Sequence, residues 1–114
     1  MAFIQKKLTM ALKKQWFEAV KNGSKKYEIR PCTPYWEKRL SKSYDVIVFT
    51  LGYPKRNDLK RMVSKEFVGI KNVSKQELFE LVSVEETAFI QKTFPHIHHF
   101  FLIVFDEWDK DFIL

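Results

Sequence analysis

Hydrophobic residues recur along this chain at spacings that alternate between those of strands and those of helices. Residues 3 to 12 alternate loosely between apolar and polar positions, which predicts a first strand. Over 13 to 22 the large apolar side chains fall three or four positions apart, which predicts a helix. Gly23 is a typical helix-ending residue, and a short strand is expected next, over 26 to 30.

A second helix and two long strands are predicted in the middle of the chain. Pro34 suits the first position of a helix that would run to about Leu40. The apolar run within 44 to 51 predicts the clearest strand, and 61 to 73 predicts a longer one. A basic loop over 52 to 58 is expected to join these two strands.

Helical spacing then returns before the last strand. Ser74 followed three residues later by Glu77 is a capping-box pattern, which typically begins a helix. Helical segments are therefore predicted over 75 to 81 and 86 to 93, and the apolar run over 100 to 108 predicts a final strand. The predicted element order is β-α-β-α-β-β-α-α-β.

This order predicts an α+β fold with one small sheet. Four or five strands of this length tend to curl, so we expect a small open β-barrel with short flanking helices. The chain has 114 residues, of which 46% are hydrophobic, so a single domain over 1–114 with a real core is expected.

Charge is distributed unevenly along the chain. Residues 1–75 contain 18 Lys or Arg and 6 Asp or Glu, whereas residues 76–114 contain 2 and 8. A basic body of this kind favours an anionic partner, and nucleic acid is the class that best fits. Solubility and internal charge pairing are the alternative explanation.

Several functional classes lose support from composition alone. Three glycines leave no glycine-rich phosphate loop, so NTPases and dinucleotide-dependent oxidoreductases are disfavoured and no cofactor is expected. The one cysteine, Cys32, permits no intrachain disulfide and fits a reducing cytoplasm. No apolar run approaches the roughly 20 residues of a membrane-spanning helix, so no membrane partner is expected.

Residues 23 to 39 concentrate the side chains that bind phosphates and bases. Candidate ligand-binding residues there are Lys25, Lys26, Glu28, Arg30, Tyr35 and Arg39. Glu28 and Arg30 share one face of the predicted strand, where an ion pair would fix the guanidinium. Trp36 is interpreted as a core residue rather than a stacking platform.

A second group of candidates follows Gly52. Tyr53 is a candidate for stacking on a base, and Lys55 and Arg56 are candidates for phosphate contacts, with Lys60 and Arg61 behind them. A solvated loop is their alternative interpretation.

The three histidines do not favour a metal site, and the cysteine does not favour a catalytic thiol. His96, His98 and His99 match no zinc-ligand spacing, so no metal is expected. Cys32 has no histidine near it in sequence and is interpreted as passive.

Three sequence blocks carry a family resemblance over roughly residues 7 to 71. They are Gly23-x-Lys25-x-x-Glu28-x-Arg30, Pro34-Tyr35-Trp36-x-x-Arg39-Leu40 and Tyr44-Asp45-x-Ile47-x-Phe49-x-x-Gly52-Tyr53. The first resembles the G-x-K-x-x-E-x-R signature of ASCH domains, which are PUA-like barrels related to RNA-binding modules. The other two resemble the subgroup common in phage and mobile-element genomes.

The resemblance implies a basic cleft lined by the signature. RNA or modified-nucleotide binding is therefore the predicted function, with RNA or a nucleotide-like ligand as partner. Some members of the family act as amidohydrolases on acetylated cytidine and some as ribonucleases, so the resemblance also implies, as an alternative, catalytic roles for Lys25 and Glu28. Here Glu28 stands where the amidohydrolases have threonine. Candidates for their later glutamate are Glu77, Glu80, Glu85 and Glu86.

A third hypothesis is a protein-interaction module. The acidic end of the chain and apolar side chains such as Phe112 suggest it, although the sequence identifies no protein partner.

Overall fold

The computed structural model describes residues 5–55 and 58–107. In chain order its elements are β1 (Lys7–Leu12), α1 (Lys14–Lys21), β2 (Tyr27–Pro31), α2 (Pro34–Arg39), β3 (Val46–Leu51), a 3-10 turn (Leu59–Arg61), β4 (Met62–Ser74), α3 (Lys75–Leu81), α4 (Val84–Thr93) and β5 (His99–Glu107). The predicted order of strands and helices is confirmed.

The five strands form one hydrogen-bonded sheet in the order β1-β3-β4-β5-β2. β1 and β3 are parallel, with Lys7 opposite Val46 and Leu12 opposite Leu51. β3 and β4 are antiparallel, with Ile47 opposite Lys65. The sheet is therefore mixed, and the carboxyl ends of β1 and β3 lie at the same edge.

The chain divides into two compact units, and the first is built on β1, α1 and β3. It comprises the described residues within Met1–Tyr27, Ser43–Gly69 and Val104–Leu114. Its buried apolar side chains are Leu8, Met10, Leu12, Phe17, Val20, Val46, Ile47, Phe49 and Phe105. The rings of Phe49 and Phe105 pack with centroids 4.8 Å apart.

The second unit comprises Glu28–Lys42 and Ile70–Ile103 and has its own core. Its buried apolar side chains are Leu40, Val73, Leu78, Ile90, Phe100, Leu102 and Ile103. Phe94 packs edge-on against Phe100, with ring centroids 5.9 Å apart. The single domain over 1–114 stays a prediction.

Several element boundaries differ from the sequence predictions by one to a few residues, and two of them have an identifiable reason. β3 begins at Val46 rather than at residue 44, and the Asp45 carboxylate accepts a hydrogen bond from the Lys6 backbone N–H at 2.9 Å. The Lys6 N–H is thus bonded by a side chain rather than by a backbone carbonyl, and the regular β1–β3 register starts one residue later, with Lys7 opposite Val46. α4 begins at Val84 rather than at residue 86, because Ser83 caps it.

The Ser83 cap gives a testable contribution to stability. Its hydroxyl accepts from the Glu86 backbone N–H at 3.1 Å. We expect Ser83→Ala to lower the free energy of unfolding by about 1 kcal/mol, because an N-terminal N–H of the helix loses its partner. Urea denaturation measures this, with Ser43→Ala, at an exposed serine, as control. Equal losses in the two variants would show that the cap contributes nothing.

Candidate functional site

α2 and the end of β2 bring four of the predicted site residues together in the second unit. Thr33 caps α2 by accepting from the Trp36 backbone N–H, and Pro34 occupies the first turn. This start places Tyr35 and Arg39 one helical turn apart, where Arg39 Nη1 donates to the Tyr35 hydroxyl oxygen at 3.3 Å.

Trp36 lies at the centre of this group. The guanidinium carbons of Arg30 and Arg39 each lie 5.1 Å from the centroid of the Trp36 ring, within the range of a cation–π contact. The ring of Tyr35 meets the same indole edge-on, with centroids 5.1 Å apart, and Tyr35 is 62% exposed. We call these four residues, Arg30, Tyr35, Trp36 and Arg39, the Trp36 platform.

The interpretation of Trp36 as a core residue is wrong. Trp36 is half-buried, and α2 contains no buried residue. Its ring surface is covered instead by the two arginines and the neighbouring tyrosine.

Glu28 supports the platform from β2. Its side chain is buried, with 6% of the residue exposed, and Oε1 accepts from the Ile29 backbone N–H at 2.9 Å. Oε2 lies 3.9 Å from Arg30 Nη2. The two residues alternate along the strand and so share a face, as the sequence predicts. The carboxylate thereby helps to orient the guanidinium beside Trp36.

Lys25 belongs to the first unit, where two aromatic rings enclose it. Only 9% of the residue is exposed, and Nζ lies 4.4 Å from the centroid of Trp16 and 5.8 Å from that of Tyr27. Lys25 lies beyond the end of α1, and its backbone N–H donates to the carbonyl of Ala19 within that helix. The turn at Gly23 therefore leads the chain directly into this aromatic pocket.

The other predicted site residues of the first unit lie at its surface. Lys26 precedes β2 rather than lying within it, and its side chain is exposed. Tyr53 is 97% exposed, and Lys55 is also exposed. Arg56 lies outside the described residues, as does Phe112.

Sequence reasoning missed a second buried lysine in the first unit. Lys65 is only 3% exposed, and its position in β4 is opposite Ile47, which in turn is opposite Leu8. Residues in register share a face of the sheet, so this lysine lies on the apolar face of the sheet. The sequence did contain a signal for this position: residues two apart on a strand share a face, so Lys65 lies on the same face of β4 as Val63.

The three histidines line a groove of about 680 Å³ in the second unit, together with Cys32, Glu37 and Glu77. Burial raises the pKa of the Cys32 thiol, and the Glu37 carboxylate raises it further. Within residues 5–55 and 58–107, no three His, Cys, Asp or Glu side chains are grouped so that they could hold a metal ion.

The raised pKa of Cys32 predicts slow alkylation at neutral pH. The thiolate is the reactive form, so a raised pKa lowers its population, and the rate should rise as pH increases. We expect Glu37→Gln to accelerate iodoacetamide labelling modestly, because burial is the larger cause. Labelling rates across pH, followed by mass spectrometry, measure both effects. Labelling as fast as that of an unperturbed thiol would contradict this.

Comparisons with known proteins identify the fold. Two single-residue variants of ZmASCH from Zymomonas mobilis match this chain with TM-scores of 0.64 and 0.63 and with sequence identities of 12% and 13%. Each match covers 90% of this chain, and the two cover 69% and 70% of the ZmASCH chains. The chain has the fold of an ASCH domain. The hypothetical protein PH0355 also matches, with a TM-score of 0.58 and 20% identity over 88% of this chain and 97% of its own. No protein-family model matches the sequence, and no curated protein does.

The ASCH fold confirms the predicted α+β open barrel with flanking helices. The resemblance to the phage and mobile-element subgroup stays a prediction. Among the described residues of this ASCH fold, no helix has the length and apolarity to cross a lipid bilayer.

Proposed function

We propose that this chain binds RNA or a nucleotide-like ligand at the Trp36 platform. The observation that carries the proposal is the pair of guanidinium groups held against one indole beside an exposed tyrosine. Arginine forks bind phosphate through paired N–H donors, and bases stack on arginine planes as well as on aromatic rings.

The platform is suited to binding because its arginines are already oriented. Arg30 contacts both Glu28 and Trp36, and Arg39 contacts both Tyr35 and Trp36. A side chain that is ordered before binding loses less conformational entropy when the ligand arrives. Glu28 would either keep Arg30 in position or accept from a cytosine amino group.

The charge of the chain supports an anionic ligand. The basic side chains of residues 1–75 exceed the acidic ones by 12, and Lys25 and Lys26 of the signature would add phosphate contacts. Tyr53, Lys55 and Arg56 remain proposed ligand contacts. We also propose a cytoplasmic location, which the single cysteine supports.

A hydrolase acting on a nucleoside or on RNA is the second candidate function. It is supported by the burial of two charged signature residues, Lys25 and Glu28. Burying a charged group is costly, so a buried charge is often retained because it has a specific role. In that reaction water activated by Lys25, or the Lys25 amine itself, would add to the scissile amide carbon or phosphorus, and Glu28 would carry the released proton to the leaving group as its bond breaks. The four candidates for a further glutamate lie on α3 and α4.

Substituting Arg39 with lysine tests the proposed role of the guanidinium. Arg39→Lys keeps the charge but removes the planar fork that lies against Trp36, so we expect nucleotide affinity to fall about tenfold. Calorimetric titration with a nucleoside monophosphate measures the change. Lys38→Gln, at an exposed position of the same helix, is the control and should bind normally. Unchanged affinity in Arg39→Lys would remove Arg39 from the site.

A further inference from the structure

A basic groove of about 620 Å³ in the first unit lies where β1 and β3 end. Its principal lining residues are Leu12, Lys13, Lys14, Leu51, Tyr53 and Arg61. We call it the Tyr53 groove. We infer that it holds a single-stranded segment of RNA, with a base on the apolar floor and phosphates along the cationic rim. This inference rests on the proposed function, because it extends the ligand from a nucleotide to a strand.

The floor is formed by the last residues of two parallel strands. Leu12 and Leu51 are opposite each other in register, and the Gly52 backbone N–H donates to the Leu12 carbonyl at 3.1 Å. This hydrogen bond links the chain after β3 to the end of β1. The floor is therefore apolar and fixed by backbone contacts.

Tyr53 is held at this edge by the turn that precedes it. Gly52 has a φ of +64°, a conformation that residues with a side chain adopt at a cost. The Gly52 carbonyl also accepts from Thr50 Oγ1 at 2.8 Å. A constrained turn thus presents an aromatic ring that is 97% exposed, and such a ring is suited to stacking on an unpaired base.

The charges around the groove complement a polyanion. Lys13 and Lys14 are exposed, and more than half of the Arg61 side chain is exposed. None of the described residues that line the groove is acidic. The Asp58 carboxylate, which is not part of the lining, lies 3.4 Å from Arg61 Nε and leaves the rest of that guanidinium to the ligand.

Single-stranded RNA fits this combination better than a duplex. Bases in a duplex are stacked on each other, so neither the apolar floor nor Tyr53 could contact a base face. An unpaired strand presents bases and phosphates alternately, which matches an aromatic ring and apolar floor beside three cations. An acidic peptide would use the cations, but it would bring no planar group for Tyr53.

The test measures binding of a fluorescent oligouridylate of about ten nucleotides, long enough to span a single-strand site. We expect Tyr53→Ala to weaken binding about five- to hundredfold, which is the loss of one base–aromatic stack. Lys13→Gln combined with Lys14→Gln should reduce the slope of log affinity against log salt concentration by about 1.4. Each phosphate that is no longer neutralised contributes about 0.7 to that slope. Lys42→Gln combined with Lys92→Gln, at exposed positions outside the groove, is the charge-matched control.

The outcomes separate this inference from the proposed function. Loss of strand binding in the groove variants but not in the control supports the groove, whereas equal affinity and salt slope in all variants overturns it. Stronger binding of an acidic peptide than of the oligouridylate also overturns it. The Trp36 platform is tested separately with uridine monophosphate. Binding of this nucleotide by the wild type and its loss in Trp36→Ala would support the platform, whatever the result for the groove. If the wild type binds neither probe, both proposals fail.

Discussion

Trp36→Ala is expected to weaken nucleotide binding by about five- to 150-fold, the range that corresponds to ordering two side chains on binding at about 0.5–1.5 kcal/mol each. The indole is the common surface against which both Arg30 and Arg39 lie, each 5.1 Å from its centroid. Without it, each guanidinium is deprived of its cation–π partner and regains rotamer freedom, so the ligand must order both side chains on binding.

Trp36→Phe is the matched control for this prediction. A smaller aromatic ring keeps a face for the two arginines, so we expect it to retain most of the affinity. Trp36 is half-buried, so the unfolding transition of each variant should be recorded beside its binding. Wild-type affinity in a folded Trp36→Ala variant would show that the ligand binds elsewhere.

Lys25→Ala is expected to lower the free energy of unfolding by about 3 kcal/mol. The ammonium lies 4.4 Å from the Trp16 centroid in a largely buried site, where a cation–π contact is worth about 2 kcal/mol. The lysine stem also packs within this pocket, and its removal leaves a cavity. Urea denaturation measures the loss.

Two further substitutions at this position separate charge from packing. Lys25→Met keeps most of the stem without the charge and should recover about half of the lost stability, whereas Lys25→Arg keeps a cation over the indole. The prediction fails if all three variants unfold at the wild-type midpoint. If the hydrolase function holds, turnover should disappear in Lys25→Met, including under conditions where the variant is fully folded.

The element order could be predicted because local signals were strong at most boundaries. Gly23, with a φ of +84°, lies two residues after the last residue of α1, in the turn that leads out of the helix. The Ser74 hydroxyl caps α3 by accepting from the Glu77 backbone N–H at 3.2 Å. The second capping box, formed by Ser83 and Glu86, was also present in the sequence and would have placed the start of α4 correctly.

The arrangement around Trp36 was only partly predictable. Trp36 and Arg39 are three residues apart on a helix, so their contact follows from helical spacing. Arg30 lies on β2, however, and reaches the same ring only because the chain turns between Pro31 and α2. Large aromatic residues are usually buried, so composition favoured the core interpretation that the structure overturns.

The burial of charged residues was harder to predict than the elements that carry them. Alternation puts Glu28 and Arg30 on one face of β2, but it does not reveal that Glu28 is buried there. Lys25 lies before β2, where no periodicity applies, and its pocket depends on Trp16 from another element. Such contacts are set by tertiary packing.

The most direct test of the central claim is titration of the wild-type protein with single-stranded RNA at several salt concentrations, with product analysis on the same samples. If three phosphates are neutralised, affinity should fall about twentyfold between roughly 50 and 200 mM salt, and the RNA should remain intact. N4-acetylcytidine, assayed in parallel, should also remain unchanged. Affinity that does not vary with salt, or no binding at all, would contradict nucleic-acid recognition, and turnover of either substrate would establish the hydrolase function.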